Sequence, residues 1–134
     1  MTAAPETIAV ILFAHGAKND RWKQPIFDLA DRLSEDLAPS RVTAAFLQFG
    51  EPKLPPALEA LIREGATVIV ILPYFLATGG HLLADLPRII DETKAIHPHV
   101  EFFVAPPLGE SPLVIDAFRR ASREFVDSVA PRRE

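Results

Sequence analysis

With four histidines and no cysteine in the sequence, any metal site in this chain must use imidazole, carboxylate or backbone oxygen. A thiolate metal cluster, a cysteine nucleophile, a CxxC redox pair and a disulfide scaffold are excluded together. His15 stands in Phe13-Ala14-His15-Gly16-Ala17, and His81 follows Gly79-Gly80. Glycine beside each histidine lets backbone or a ligand approach closely. Two imidazoles facing one crevice suit a borderline divalent metal held with positions left open for a substrate, and neutral imidazole can also take up a proton near pH 7. Taken singly, either histidine reads more readily as a structural hydrogen-bonding residue near a strand end than as a ligand; the pair carries the metal reading.

The remaining candidates are weaker. His97 and His99 flank Pro98 at the opposite end of the sheet from His15 and read as surface loop residues. Gly79-Gly80 ahead of a helix could cradle a phosphate, but the segment matches neither GxGxxG nor GxxxxGK[ST]. Ser111 precedes Pro112 and reads as a helix N-cap rather than a nucleophile.

The elements that must position the two histidines are legible from hydrophobic periodicity. Thr7 to Phe13, Val42 to Gln48 and Thr67 to Leu72 are continuous apolar runs, and Val100 to Ala105 is a slightly more polar fourth. Such runs mark strands buried on both faces of a parallel sheet. Between them, Trp22, Ile26, Leu29, Leu33 and Leu37 lie on one face of a first helix. A second helix runs from about Pro55 to Glu64 with Gly65 at its C-terminal cap. A third is predicted from about Asp85 to Ile96, with Pro87 in its first turn and the preceding Thr78 to His81 as loop. A fourth begins at Ser111-Pro112 and is expected to bury Val114, Phe118, Ala121 and Phe125. Alternation of strand and helix, with strand starts about 25 to 35 residues apart, predicts right-handed crossovers and a three-layer, flavodoxin-like α/β fold with a four-stranded parallel sheet. If the strand order is 2-1-3-4, the first and third strands are central neighbours and His15 and His81 face one crevice beyond their carboxyl ends.

Composition sets the limits. The 134 residues, 49% hydrophobic and 24% charged, fit one domain spanning 1–134, with an ordered core expected at about 6–129. A net charge of −4 argues against nucleic acid as a partner. No apolar run reaches the ~18 residues needed to cross a membrane, and the N-terminus lacks a signal-peptide pattern, so a cytoplasmic location is expected.

Several segments together make the chain resemble the short class II tetrapyrrole chelatases of the CbiX type. They are Phe13 to Ala17 followed by Asp20-Arg21-Trp22; Ala45-Phe46-Leu47 leading to Glu51-Pro52 and Leu54-Pro55; Pro73 to Leu76 with Gly79-Gly80-His81 and Asp85-Leu86-Pro87; and Ala105-Pro106-Pro107-Leu108-Gly109. The resemblance implies a chelatase-type fold, a homodimer equivalent to one two-lobed enzyme, and insertion of a divalent metal into sirohydrochlorin. Co²⁺ is expected first, with Fe²⁺ or Ni²⁺ as alternatives; a non-catalytic metal- or tetrapyrrole-binding module is the reading from another class. The metal is a substrate, and no permanently bound cofactor is implied.

The family's catalytic and metal-binding histidines fall on His15 and His81. Ala17 stands where the family commonly has serine. Gln48 stands where it usually has glutamate, and an amide cannot accept a proton as a carboxylate does. Glu51, three residues on, is the first substitute. For the flat substrate, Phe13, Phe46, Phe49, Phe75 and Leu76 are candidate wall residues, with Gly79 and Gly80 lining the loop. For its carboxylated rim, the candidates are Lys18, Arg21, Lys53 and Arg88.

Overall fold

In the computed structural model, which describes residues 6–76 and 79–133, the side chains at 80–83, 131 and 133 excepted, four strands form one parallel sheet. They are β1 (Ile8–Gly16), β2 (Val42–Phe49), β3 (Val68–Pro73) and β4 (Glu101–Val104), in the order β2-β1-β3-β4. The order is the one that makes β1 and β3 central neighbours. Ile11, Phe13, Ile69 and Ile71 bury one face, and Val10, Leu12 and Ala14 bury the other. Each large side chain among them contributes roughly 1.5–3 kcal/mol of burial free energy, which continuous apolar strands can collect only if helices cover both faces.

Helices α2 (Leu54–Arg63) and α3 (Gly80–Ile96) cover the first face with Leu54, Leu58, Leu61, Leu86, Ile89 and Ile90. Helix α1 (Asp20–Asp36) lies on the other with Ile26, Leu29, Ala30 and Leu33. The Asn19 side chain caps α1 by accepting from the Arg21 N–H at 2.9 Å. Helix α2 ends as its sequence requires: Gly65 has φ +105°, its N–H donates to the Ile62 carbonyl, and the Ala66 N–H donates to Leu61.

Three elements depart from the sequence-based expectation. Strand β1 continues past Phe13 to Gly16, so His15 belongs to the strand rather than to the loop after it. Helix α3 starts at Gly80 instead of near Asp85, with His81 in its first turn and Pro87 inside it. Pro87 is exposed, and on the water side of a helix solvent can reach the carbonyl that a proline leaves without a partner. Helix α4 (Pro112–Val129) buries none of its residues: Phe118 is 74% and Phe125 71% exposed, although helical spacing predicts that their stripe faces the sheet. Ser111 occupies its N-cap position but makes no side-chain capping bond there. Among the described residues no helix is long and apolar enough to cross a membrane.

Leu58 is fully buried under the sheet. Leu58→Ala is therefore expected to cost about 2–5 kcal/mol, read as a lower midpoint at unchanged slope in urea denaturation.

Candidate functional site

The apolar interior of β1 stops at Ala14, and His15 is the first exposed side chain on that strand's carboxyl end. Its placement depends on Gly16. Here φ is +96°, and a Cβ at this position would collide with the Phe49 carbonyl, so only glycine lets the ends of β1 and β2 close on each other. The closure is completed by the Ala17 N–H, which donates to that same carbonyl at 3.0 Å. The pairing register shifts between Ala14 and Gly16, opposite Phe46 and Phe49, so β2 carries one extra residue in the Leu47–Gln48 interval. Gln48 is exposed there.

The His15 ring lies 6.3 Å from the Phe49 ring and 6.5 Å from the Phe75 ring, centroid to centroid. Phe75 in turn meets Phe13 edge-on at 5.7 Å. His15 thus joins the face carrying Phe13, the face that α3 also covers, and α3's first turn holds His81 after β3's carboxyl end. The His81 side chain lies outside the described ones, as do Ala77 and Thr78. Among the described residues nothing lies within 4 Å of where a Cβ on Gly79 would stand, which leaves that backbone open to close approach.

The wall candidates separate. Phe13 and Phe46 are 1% and 0% exposed and belong to the core, because their strand positions point into the two helix-covered faces. Phe49, Phe75 and Leu76 stand at the crevice, Leu76 with 76% exposure. On the α1 side, His15 and Gly16 line a small cavity of about 240 Å³ with Trp22, Lys23, Ile26 and Tyr74. Trp22, expected to face inward from its helical spacing, is 73% exposed because the first turn of α1 overhangs the end of the sheet. Trp22, Lys23 and Tyr74 are the crevice residues that sequence reasoning missed. The signal was their adjacency to motifs already singled out: Asp20-Arg21-Trp22 and Pro73-Tyr74.

The basic candidates also separate. Lys18 sits beside His15, its ammonium 5.2 Å from the Phe49 ring centroid. Arg21 is exposed on the first turn of α1. Lys53 donates to the Gly50 carbonyl at 2.6 Å and pairs with Glu51 at 3.0 Å, so Glu51 and Lys53 neutralise each other on the turn after β2. Arg88 lies between Asp85 and Glu92 on α3, and its guanidinium is held charged first by Glu92 and then by Asp85. Lys23 is engaged by Asp20 at 2.7 Å, which keeps that carboxyl below its ordinary range. His97 bonds Glu59 at 2.9 Å at the far end of the sheet, away from the crevice.

The loop bearing Phe75 and Leu76 is braced from behind. The Gly109 N–H donates to the Phe75 carbonyl at 3.2 Å, and a Cβ on Gly109 would collide with the Leu76 carbonyl. The role of the Ala105-to-Gly109 motif is therefore mechanical, since its backbone packs against the crevice loop. Among the described residues no three His, Asp or Glu side chains gather as a closed metal site.

A family model described as CbiX matches residues 9–125. A sirohydrochlorin cobaltochelatase of Saccharolobus solfataricus is 37% identical over 108 residues, covering 76% of this chain and 83% of that protein. The crystal structure of a CbiX protein from Marinobacter aquaeolei VT8 superposes with a TM-score of 0.77 at 29% identity, over 90% of this chain and 98% of that one. The sirohydrochlorin chelatase SirB from Bacillus subtilis subspecies spizizenii, solved with cobalt, shares the fold with a TM-score of 0.75 at 22% identity. That match takes in 88% of this chain and 50% of SirB.

Gly16→Ala is expected to destabilise the protein by about 2 kcal/mol or more, because the new methyl meets backbone rather than a movable side chain. Gly65→Ala, where φ is also positive but nothing lies within 4 Å, is expected to cost less, since only the backbone preference is violated. Urea midpoints of the two variants side by side check the ranking.

Proposed function

The chain belongs to the CbiX family, and on that premise we propose that it is a class II chelatase inserting a divalent metal, Co²⁺ first, into sirohydrochlorin. The observation that carries the reading is the emergence of His15 at the end of the central strand, where core burial stops, on the sheet face that α3 and its His81 share. Cobaltochelatase relatives support the chemistry, and cobalt bound to a fold-mate supports the metal.

Insertion requires partial dehydration of M²⁺, access to the pyrrole lone pairs and removal of two N–H protons. In the proposed mechanism His15 and His81 present the metal to one face of the macrocycle through nitrogen, then yield it as ring nitrogens replace them. Two protein ligands make that handover easy, whereas four would retain the ion. The same imidazoles assist deprotonation. Gln48 orients substrate or water, and Glu51, facing Lys53, is the secondary proton acceptor. Lys18 and Arg21 meet the carboxylated rim. Phe75, Leu76 and the Gly79-Gly80 backbone form one wall, and the exposed indole of Trp22 offers a stacking surface beside His15.

A cavity of about 240 Å³ falls below the roughly 300–1,000 Å³ of sites that enclose a sizeable ligand. A second copy would supply the missing wall, and the fact that this chain covers half of SirB supports a homodimer equivalent to one such protein. The expected location of the reaction is the cytoplasm.

Metal insertion followed by the visible spectrum of sirohydrochlorin tests the reading. Turnover with limiting Co²⁺ is expected to exceed that with Fe²⁺ or Ni²⁺, and His15→Ala or His81→Ala to lower kcat by about 100-fold or more. Gln48→Glu is expected to raise it by restoring a carboxylate. Stoichiometric spectral change without turnover, or histidine variants as active as wild type, would overturn the proposal. Because Trp22 is the sole tryptophan, sirohydrochlorin is also expected to quench its fluorescence on binding, which reads affinity apart from chemistry.

A further inference from the structure

The cavity beside His15 is too small for a macrocycle but large enough for what projects from one. It measures about 240 Å³; at roughly 30 Å³ for a water-sized group, that is room for a carboxyalkyl arm of about five non-hydrogen atoms. Three elements make its walls. Trp22, Lys23 and Ile26 stand at positions i, i+1 and i+4 of α1 and reach the end of the sheet from its first turns. His15 comes from the end of β1, and Tyr74 follows β3, its N–H donating to the Phe13 carbonyl at 2.7 Å. The His15 ring also neighbours Phe49 and Phe75, so a flat ligand lying across His15 toward Phe75 has one edge at the cavity mouth.

Lys23 is the one lysine or arginine lining this cavity, and its stem is already held in place. The side chain is 19% exposed. It runs along the turn after β2, where a Cβ on Gly50 would stand 3.1 Å from the Lys23 Cδ and 2.7 Å from the Phe46 ring. Glycine at that position, with φ +136°, therefore leaves open the channel in which the stem lies. The ammonium pairs with Asp20 at 2.7 Å, and the Asp20 side chain is 92% exposed. A carboxylate so exposed adds little to stability through an ion pair and can return to water at small cost. Asp20 thus occupies the place that a carboxylate from outside would take.

We propose that Lys23 receives one carboxylate arm of the tetrapyrrole in this cavity, the arm displacing Asp20 from the ammonium. The proposal rests on the chelatase reading above and adds to it an anchor that fixes how the ring lies over His15. Lys18 and Arg21 are exposed and meet rim carboxylates in open water. Lys23 meets one in a recess, with its stem ordered beforehand, so less side-chain freedom is lost on binding. The Trp22 indole N–H and the Tyr74 hydroxyl belong to the same recess and are further donors that a carboxylate can use. Seating one arm limits sliding and rotation of the disc, which keeps its nitrogen centre near the imidazole that must address it.

Titration of sirohydrochlorin without metal, followed by Trp22 fluorescence, tests the anchor, with far-UV CD confirming that each variant is folded. Lys23→Met keeps the stem and removes the charge; it is expected to raise Kd about 10-fold or more. Lys23→Arg keeps the charge and is expected to stay within about 3-fold of wild type. Asp20→Asn removes the competing carboxylate and is expected to lower Kd about 3-fold. That gain is expected to vanish in the Lys23→Met background, because the two residues act through one contact. Lys23→Met binding as tightly as wild type, equal weakening by methionine and arginine, or an Asp20→Asn gain that survives without Lys23 would each sink the proposal. Metal insertion by the wild type separates it from the reading it rests on. Binding that depends on Lys23 without insertion keeps the anchor and removes the chelatase. Insertion with Lys23→Met binding normally keeps the chelatase and removes the anchor, and a wild type that leaves sirohydrochlorin unbound removes both.

Discussion

Two central strands that are apolar on both faces impose the constraint on which the rest of the molecule depends. β1 and β3 can hide their side chains only between two layers of helix, and the polar chemistry must therefore wait until the strands leave the core. On β1 that point lies between Ala14, 4% exposed, and the exposed His15. On the β3 side it lies between the buried Pro73 and the exposed Tyr74. The crevice is the rim of the hydrophobic core, and its reactive groups occupy the first positions at which water can reach a side chain.

The proposed holding of a metal through two imidazoles would ask for stiffness in the backbone, since such ligands are few. The structure supplies it through close backbone approaches. Gly16 lets β1 press against Phe49, and Gly109 lets the β4–α4 junction press against Leu76. Both would be blocked by a single methyl group. One joint fixes His15 and the other fixes the loop that leads toward α3. A site built this way can bind weakly without being loose, which suits an ion that must be passed on.

The same constraint is met unevenly across the sheet. α1, α2 and α3 cover β1, β2 and most of β3, while Phe103 on edge strand β4 remains open and α4 keeps its apolar stripe in water. A continuous apolar strand pattern requires cover without saying which chain provides it. The junction at residues 105–111 is braced by its own backbone hydrogen bonds and against the crevice loop, and the helix that follows it buries none of its residues.

Periodicity and punctuation in the sequence determined the four strands, the parallel α/β class, the close of α2 at Gly65 and the location of His15 at a strand end. Those features follow from local chemistry: apolar runs, helical spacing, and glycine where φ must be positive. Tertiary structure alone decided that Phe13 and Phe46 are core while Trp22 is exposed, since these depend on where an element ends relative to the sheet beneath it. It also decided that α3 begins at Gly80 and tolerates Pro87, because exposure of that turn offsets the lost hydrogen bond. Sequence states which side chains prefer to be dry; only the tertiary structure decided that, among the described residues, nothing buries the apolar stripe of α4.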